Sequence, residues 1–349
     1  MRYRMFAKSI PGPKYTAKGW GCQDSSDKTE FDCTQVIAVA DGHGSSDCFR
    51  SEFGSSAAVK TAFDQTKLYC QSACEESDSP IRFSETGIGN FKYAIWREWR
   101  RLVKEDWDNR LSTHSALGEG EVRYETVSDK YKARFTSTDE DVIERYLYAA
   151  YGTTLLFAVA IESQLLLLQI GDGTCVVLQR DGEFRVPVPP DEENFLNVTV
   201  SLCEEDANLK IRHVVIDCDA ESPTSPVAVF LSSDGVDDCY PVYRNEQHLY
   251  KLYSIILENV LNVGFEATEA EITDTLLPGM TSKSSQDDIS LAYFLTEDIS
   301  VLCETFDNIS PTLKPQIKVA KEDVSIQQDS KDKAEVVEKA KEEIYTRWW

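Results

Sequence analysis

Five aspartates stand at or beside the ends of apolar runs, and four of them have glycine or serine next to them. The clearest case is the stretch 36–44, where five apolar residues lead into Asp41, Gly42, His43 and Gly44. A short apolar run bounded by glycine is typical of a buried strand. Glycine on either side of His43 lets the backbone turn sharply and approach a ligand closely. The pattern predicts a strand that presents a carboxylate from a rigid element.

The same pattern recurs three times. The repeats are 168–173 around Asp172, 229–235 around Asp234, and 286–290 with the adjacent pair Asp287 and Asp288. Asp24 lies a short loop before the strand predicted at 35–40. A single aspartate is more often a turn former, as we expect for Asp181 in Asp181-Gly182. The interpretation therefore depends on the joint pattern and not on any one residue.

Carboxylates gathered in one place suit hard divalent cations. Mg²⁺ and Mn²⁺ prefer oxygen ligands, and without a cation or protons the clustered charges would repel each other. Two such cations about 4 Å apart can clamp a phosphate and lower the pKa of a bridging water. His43 is the only one of the four histidines beside such a carboxylate, and histidine suits proton donation to a leaving group. The set predicts metal-assisted hydrolysis at phosphorus.

The composition argues against several other classes of protein. The chain has 349 residues, of which 42% are hydrophobic, and 60 acidic against 36 basic residues give a net charge of −24. This balance disfavours a nucleic-acid or anionic-membrane partner, which would need a basic face. No apolar run reaches about 18 residues and no signal peptide is recognisable, so we expect a cytoplasmic protein without a membrane anchor. Ten cysteines without a Cys-x-x-Cys pair favour reduced thiols over a zinc site.

Apolar periodicity predicts an α+β fold. Strands are predicted at 2–10, 35–40, 153–161, 164–170, 174–180, 211–217, 227–232 and 289–295, and helices at 47–67, 91–111, 139–150 and 246–263. The stretches 70–90 and 112–138 are predicted to be irregular. Short connections between strands favour antiparallel sheets covered by helices over alternating βαβ units. Trp96, Trp99 and Trp107 are interpreted as core residues.

Six motifs occur in a fixed order between residues 15 and 295. They are Gln23-Asp24, Asp41-Gly42-His43-Gly44, Gly152-Thr153-Thr154, Gly171-Asp172-Gly173, Ser233-Asp234-Gly235 and Asp287-Asp288-Ile289-Ser290. This ordered set resembles the metal-dependent Ser/Thr protein phosphatases of type 2C, in particular the bacterial branch with Cys-Gln-Asp near its start. The resemblance implies an αββα sandwich, in which two packed antiparallel β-sheets are flanked by α-helices. It also implies a catalytic domain at 1–298 with a long insertion at about 70–138, followed by a charged tail at 299–349.

The resemblance implies a role for each matching residue. Asp41 would bridge two Mn²⁺ or Mg²⁺ ions, with an added oxygen from the Gly42 carbonyl. Asp234 and Asp287 would complete the ligands of one ion. Asp172 would hold a third, weaker ion.

Two further matching residues would serve the same centre. Asp24 would hold metal-bound water or join the third site, and His43 would be the acid for the leaving group. The substrate would be a phosphoserine or phosphothreonine protein, with a cognate Ser/Thr kinase as the opposing partner.

The chain also departs from the family pattern. Many members have an arginine just upstream of the first acidic motif, where this chain offers Lys18 or Lys14, which are point charges without a bidentate fork. Gln23 stands where many members have glutamate. Two alternatives to a phosphatase therefore stay open: a phosphatase-like scaffold that binds phosphoproteins without turnover, and a two-metal phosphodiesterase.

Overall fold

The computed structural model describes residues 2–76, 81–113, 124, 126–135, 139–161, 163–189 and 199–315. Within these residues the chain forms two five-stranded sheets in which every neighbouring pair of strands is antiparallel. The strands are β1 (Tyr3–Ile10), β2 (Ser25–Phe31), β3 (Thr34–Ala40), β4 (Leu155–Ile161), β5 (Gln164–Ile170), β6 (Thr174–Gln179), β7 (Phe184–Arg185), β8 (Arg212–Asp217), β9 (Pro226–Ser232) and β10 (Ile289–Thr296). The first sheet has the order β1-β10-β9-β6-β7 and the second β2-β3-β4-β5-β8.

Helices cover the outer face of each sheet. They are α1 (Pro13–Thr16), α2 (Ser51–Glu76), α3 (Glu85–Thr113), α4 (Asp129–Phe135), α5 (Glu140–Ala150), α6 (Ala207–Lys210), α7 (Asp234–Asp237), α8 (Asn245–Val263), α9 (Phe265–Glu271), α10 (Leu277–Met280) and α11 (Ile299–Asn308), with π-helical turns at Ile272–Leu276 and Thr281–Ser285. None of the described helices is long and apolar enough to cross a membrane.

Alternation along the strands produces three apolar layers. In β3, for example, Ile37 and Val39 face the other sheet, whereas Val36 and Ala38 face α2 and α3. A third cluster lies between the first sheet and the helices that include α8 and α11. Every residue of β3, β4 and β5 is buried. The sequences of these strands are largely apolar without alternation, which is typical of strands whose sheet is covered on both faces. The predicted αββα sandwich is confirmed.

The sequence of β2 did not predict a strand. The residues between Asp24 and the strand at 35–40 were expected to be a loop, but Ser25–Phe31 pairs with β3 along its whole length. β2 is an edge strand of polar and charged residues that are half-buried or exposed, so its apolar signal is weak. The polar exposure of an edge strand also protects it against pairing with another chain.

The expected loop at 70–90 is largely helical. α2 continues to Glu76 and α3 begins at Glu85, because apolar residues such as Cys70 and Ile88 are buried in the layer beneath these helices. Residues 77–80 lie outside the described residues.

In the expected irregular stretch 112–138, α4 packs Phe135 against Trp107 at 5.4 Å between ring centroids. Trp99 and Trp107 are buried, as predicted. Helical packing also continues past residue 298, since α11 buries Leu302 and Thr305. Residues 316–349 of the predicted tail lie outside the described residues, and the domain boundaries stay a prediction. The nine cysteines whose side chains the structure describes are free thiols, and two of them are exposed.

Candidate metal centre

Strand ends from both sheets meet at one edge of the sandwich. β3 of the second sheet ends directly before Asp41, and β9 of the first sheet ends two residues before Asp234. The backbone of Asp41 is held by the Gly152-Thr153-Thr154 motif, because its carbonyl accepts hydrogen bonds from Thr154 N–H at 2.8 Å and Thr153 Oγ1 at 2.9 Å. A β-bridge between Gly42 and Thr153 extends this pairing by one residue.

Asp41 and Asp234 lie in direct contact. Burial is the main cause that raises the pKa of Asp41 well above its usual range, and the charges of Asp24 and Asp234 add to it. The Asp41 carboxyl donates a hydrogen bond to the Asp234 carboxylate. Burial also raises the pKa of Asp234, and the charges of Asp172 and Asp287 act in the same direction. Three other predicted ligands, Asp41, Asp172 and Asp287, therefore lie near Asp234.

Asp24 belongs to the same group of carboxyls. Its side chain is 7% exposed, and burial, followed by the charge of Asp288, raises its pKa. Hydrogen bonds with the hydroxyls of Ser233 and Ser290 oppose that rise. The Asp24 Oδ2 atom is buried and has no hydrogen-bond partner within the described residues. This oxygen is available to a ligand.

The adjacent residues Asp287 and Asp288 make different contacts. Asp288 is buried and accepts 2.6 Å hydrogen bonds from the backbone N–H groups of Gly12 and Gln23. Asp287 instead faces the rim, where Lys14 Nζ lies 3.0 Å from its Oδ2. Both oxygens of Asp288 thus accept backbone N–H groups, whereas Asp287 accepts one such bond, from Asp288 N–H to its Oδ1 at 3.0 Å. The choice of Asp287 as the metal ligand stays a prediction.

The two remaining predicted residues flank the cluster. Asp172 is exposed and accepts a 2.5 Å hydrogen bond from Thr199 Oγ1. His43 is half-buried, and its ring lies so close to Gly152 that a Cβ there would be 2.5 Å from His43 Cδ2. Burial lowers the pKa of His43, whereas the charges of Asp172 and Glu204 raise it. The imidazole is thus placed beside the carboxyl group of Asp172.

Tyr15 is a site residue that sequence reasoning missed. It is 4% exposed, burial and then the charge of Asp287 raise the pKa of its hydroxyl, and its ring stacks on that of Trp20 with 5.8 Å between the centroids. The ring lies between the two predicted phosphate-binding lysines, with Lys14 Nζ at 4.9 Å and Lys18 Nζ at 6.0 Å from its centroid. No sequence motif includes Tyr15. The only sequence signal was its position between Lys14 and Lys18, shortly before the first acidic motif.

Most of the chain matches a known family of sequences. The sequence model of protein phosphatase 2C matches residues 11–276. The chain belongs to the protein phosphatase 2C family. No curated protein matches the chain.

Solved structures of similar fold include two bacterial proteins. The serine/threonine phosphatase PstP/Ppp of Mycobacterium tuberculosis is 14% identical with a TM-score of 0.45, over 85% of this chain and 100% of that one. PppA, described as a key regulatory component in Pseudomonas aeruginosa, is 16% identical with a TM-score of 0.46, over 84% of this chain and 98% of that one.

The donor set of this protein phosphatase 2C member fits divalent cations. The cluster offers carboxylate oxygens, the donors that Mg²⁺ and Mn²⁺ prefer, and includes the unpartnered Asp24 Oδ2. Within the part of the chain that the structure describes, no three acidic, histidine or cysteine side chains are arranged so that they could hold a metal ion together. Because neighbouring carboxylates repel each other, a cation bound beside Asp41 and Asp234 would stabilise their charged forms.

Proposed function

We propose that the chain is a metal-dependent protein phosphatase that hydrolyses phosphoserine and phosphothreonine. The observation that carries this proposal is the contact between Asp41 and Asp234, two carboxyls from different sheets whose pKa values are raised by burial and by neighbouring acids. Burying like charges together is costly unless protons or cations neutralise them. Membership of the protein phosphatase 2C family supports the same conclusion.

The proposed ligands are the residues that the resemblance to the family implies. Asp41, with the Gly42 carbonyl, would serve two Mn²⁺ or Mg²⁺ ions, and Asp234 and Asp287 would complete the ligands of one of them. Asp172 and Asp24, whose charges both act on Asp41, would serve a third ion or its water. When bound, the cations would neutralise phosphate charge and lower the pKa of the attacking water.

The protein side chains would manage the proton and the phosphate. His43 lies beside the cluster and would donate a proton to the departing serine or threonine oxygen, a role that needs the imidazolium form. Lys14 and Lys18 are the cations next to Asp287 and Tyr15, and they would attract the phosphate group. Because Lys14 already pairs with Asp287, it would contribute mainly through its charge.

A phosphate-release assay with a matched control tests the proposal. The substrate is a mixture of phosphoserine and phosphothreonine peptides, with Mn²⁺ present or removed by a chelator. We expect release only with the metal, and a loss of about 100-fold or more in Asp41→Asn and Asp234→Asn. Asp181→Asn is the control, because Asp181 also precedes a glycine, but its side chain accepts a hydrogen bond from Glu183 N–H in its own turn.

Three results would contradict the proposal in different ways. Unchanged release in both Asp41→Asn and Asp234→Asn would remove these residues from the reaction. Tight phosphopeptide binding without release in excess Mn²⁺ would indicate the scaffold alternative. Faster hydrolysis of a phosphate diester than of a monoester would indicate a phosphodiesterase.

A further inference from the structure

The loop 241–244 exposes two apolar side chains in succession. Val242 is 94% exposed and Tyr243 is 75% exposed, and Pro241 and Arg244 beside them are also exposed. Single exposed apolar residues are common on protein surfaces. Two adjacent ones at the tip of a loop form a small apolar surface that a partner could cover.

The loop is held at both of its ends. Before it, the Tyr240 ring stacks on His248 at 5.3 Å, with an angle of 5° between the rings. After it, the Asn245 amide donates a 2.8 Å hydrogen bond to the carbonyl of Asp237. Arg244 itself has a φ of 60°, a left-handed conformation that costs a non-glycine residue free energy. The exposed side chains are therefore presented by an anchored loop with a defined backbone.

The loop starts at the rim of the candidate metal centre. It follows α7, whose first residue is Asp234. Between α7 and the loop, Asp238 is exposed, and the charges of Asp287 and Asp172 act on it, as does the opposite charge of Lys14. A polypeptide whose phosphorylated residue lay in the cluster would thus have neighbouring residues close to the loop.

Arg244 gives the loop a positive charge. Its guanidinium lies 5.0 Å from the centroid of the Tyr243 ring, and within the described residues it forms no ion pair. Most other arginines near the surface of this acidic chain are paired, as Arg101 is with Glu98 and Glu105. An unpaired cation beside an aromatic ring favours a partner that carries both a carboxylate and an apolar group.

We propose that the loop 241–244 is a docking surface for the polypeptide that flanks the phosphorylated residue of the substrate. Val242 and Tyr243 bind an apolar side chain of that polypeptide, and Arg244 binds an acidic one. This inference rests on the proposed phosphatase function, and it names the class of substrate that the site selects: phosphoproteins with apolar and acidic residues near the phosphoserine or phosphothreonine.

The test compares peptides with a small aryl phosphate. The peptides carry one phosphoserine in a glycine and serine background, with a single leucine moved from position to position, and a second series adds one glutamate. For the natural chain we expect leucine at one or two positions to raise kcat/KM about tenfold, through a lower KM. The double variant Val242→Ser, Tyr243→Ser should lose this preference, and Arg244→Gln should lose only the preference for glutamate.

The control is Val263→Ser. Val263 is 53% exposed at the far end of α8, about 27 Å along the helix from Asn245, and its substitution should leave the peptide preference in place. The aryl phosphate has no flanking residues, so its rate of hydrolysis measures the activity of the metal centre alone. If the natural chain hydrolyses neither ester, the proposed function fails. If it hydrolyses both but shows no leucine preference, or if the double variant keeps that preference, the docking surface is wrong while the phosphatase function stands.

Discussion

Asp288 accepts a 2.6 Å hydrogen bond from the backbone N–H of Gln23, the residue that precedes Asp24. Its second oxygen accepts an equally short bond from Gly12 N–H. One buried carboxylate thereby ties the last strand, β10, to the segment before β2. Its neighbour Asp287 faces Lys14 at the rim. The two adjacent aspartates thus make different contacts, so the effects of replacing each of them can be compared.

We expect Asp288→Asn to destabilise the fold. Asparagine keeps one acceptor oxygen, but its amide group faces one of the two backbone donors, which loses its partner. A lost charge-assisted hydrogen bond with a buried donor left unpaired corresponds to about 2–4 kcal/mol in the free energy of unfolding. Urea unfolding in the presence of a chelator measures this loss without a contribution from bound metal.

Asp287→Asn is the matched control for this variant. Its exposed ion pair with Lys14 is worth at most about 1 kcal/mol, so the free energy of unfolding in chelator should change little. The Mn²⁺ affinity, measured by calorimetry, should fall instead. Equal destabilisation by the two substitutions would contradict the division of tasks.

A second prediction concerns the contact between Gly44 and Tyr15. A Cβ at Gly44 would overlap the Tyr15 hydroxyl, with the ring carbon Cζ at 2.8 Å. We expect Gly44→Ala to lower the free energy of unfolding by about 1–3 kcal/mol through overpacking. Tyr15→Phe removes the overlapping oxygen, so the double variant should be less destabilised than the sum of the single variants by at least about 0.5 kcal/mol.

Gly89→Ala is the control for the Gly44 prediction. Gly89 lies in α3 with nothing within 4 Å of an added Cβ, and alanine there should stabilise the helix by about 0.5–1 kcal/mol. Strict additivity of Gly44→Ala and Tyr15→Phe in urea unfolding would show that the two residues do not contact each other in solution.

The apolar strands and the acids at their ends were predictable because both signals are local. The residue types of a continuous apolar run such as Leu155–Ile161 are enough to indicate that the run is buried. Asp41 is marked by the glycines that follow it. The sequence order of the motifs then indicated that these ends come together. Asp41 and Asp234 follow strands of different sheets, so neither motif by itself predicts that the two residues lie together. Only the ordered set of motifs implied it.

Other features depend on distant contacts and left no local signal. β2 is a strand because β3 pairs with it, although its own residues are polar. The ends of α2 and α3 are set by the apolar layer beneath them, which overrides a composition rich in serine and glutamate. Tyr15 joins the site through Asp287 and Gly44, which lie far from it in sequence. Each of these features is decided by what packs against the segment.

A third prediction concerns the pH dependence of stability at Asp237. Burial raises the pKa of this carboxyl from 3.8 to about 7, against the effect of a 2.8 Å hydrogen bond from Thr174 Oγ1. The folded chain therefore binds more protons at this site than the unfolded chain does between about pH 4 and pH 7. Its contribution to stability is full below pH 4 and is lost as the pH rises through 7.

Asp237→Asn should remove this pH dependence, since an amide oxygen can still accept the hydrogen bond from Thr174. Relative to the natural chain, the variant should gain up to about 4 kcal/mol in the free energy of unfolding between pH 4 and pH 8. Urea unfolding in chelator at both pH values measures the gain. A difference between the two proteins that is independent of pH would show that Asp237 titrates normally in the folded chain.

The last prediction concerns a buried ion pair that supports the turn beside His43. The Arg50 guanidinium contacts Asp106 of α3, and the Tyr151 hydroxyl hydrogen bonds to both. The two charged side chains are only 10% and 18% exposed. Tyr151 precedes Gly152, whose carbonyl accepts the backbone N–H of His43 at 3.0 Å.

Asp106→Leu alone should cost about 3–5 kcal/mol in the free energy of unfolding, because it removes one partner from a largely buried ion pair. Replacing both partners, as Arg50→Met with Asp106→Leu, should recover most of that loss, since apolar residues of similar volume often substitute for a buried pair. Urea unfolding of the two variants in chelator gives the comparison. If the double variant is as unstable as Asp106→Leu, the loss does not come from the broken ion pair, and the geometry of the Arg50 and Tyr151 hydrogen bonds is what the turn requires.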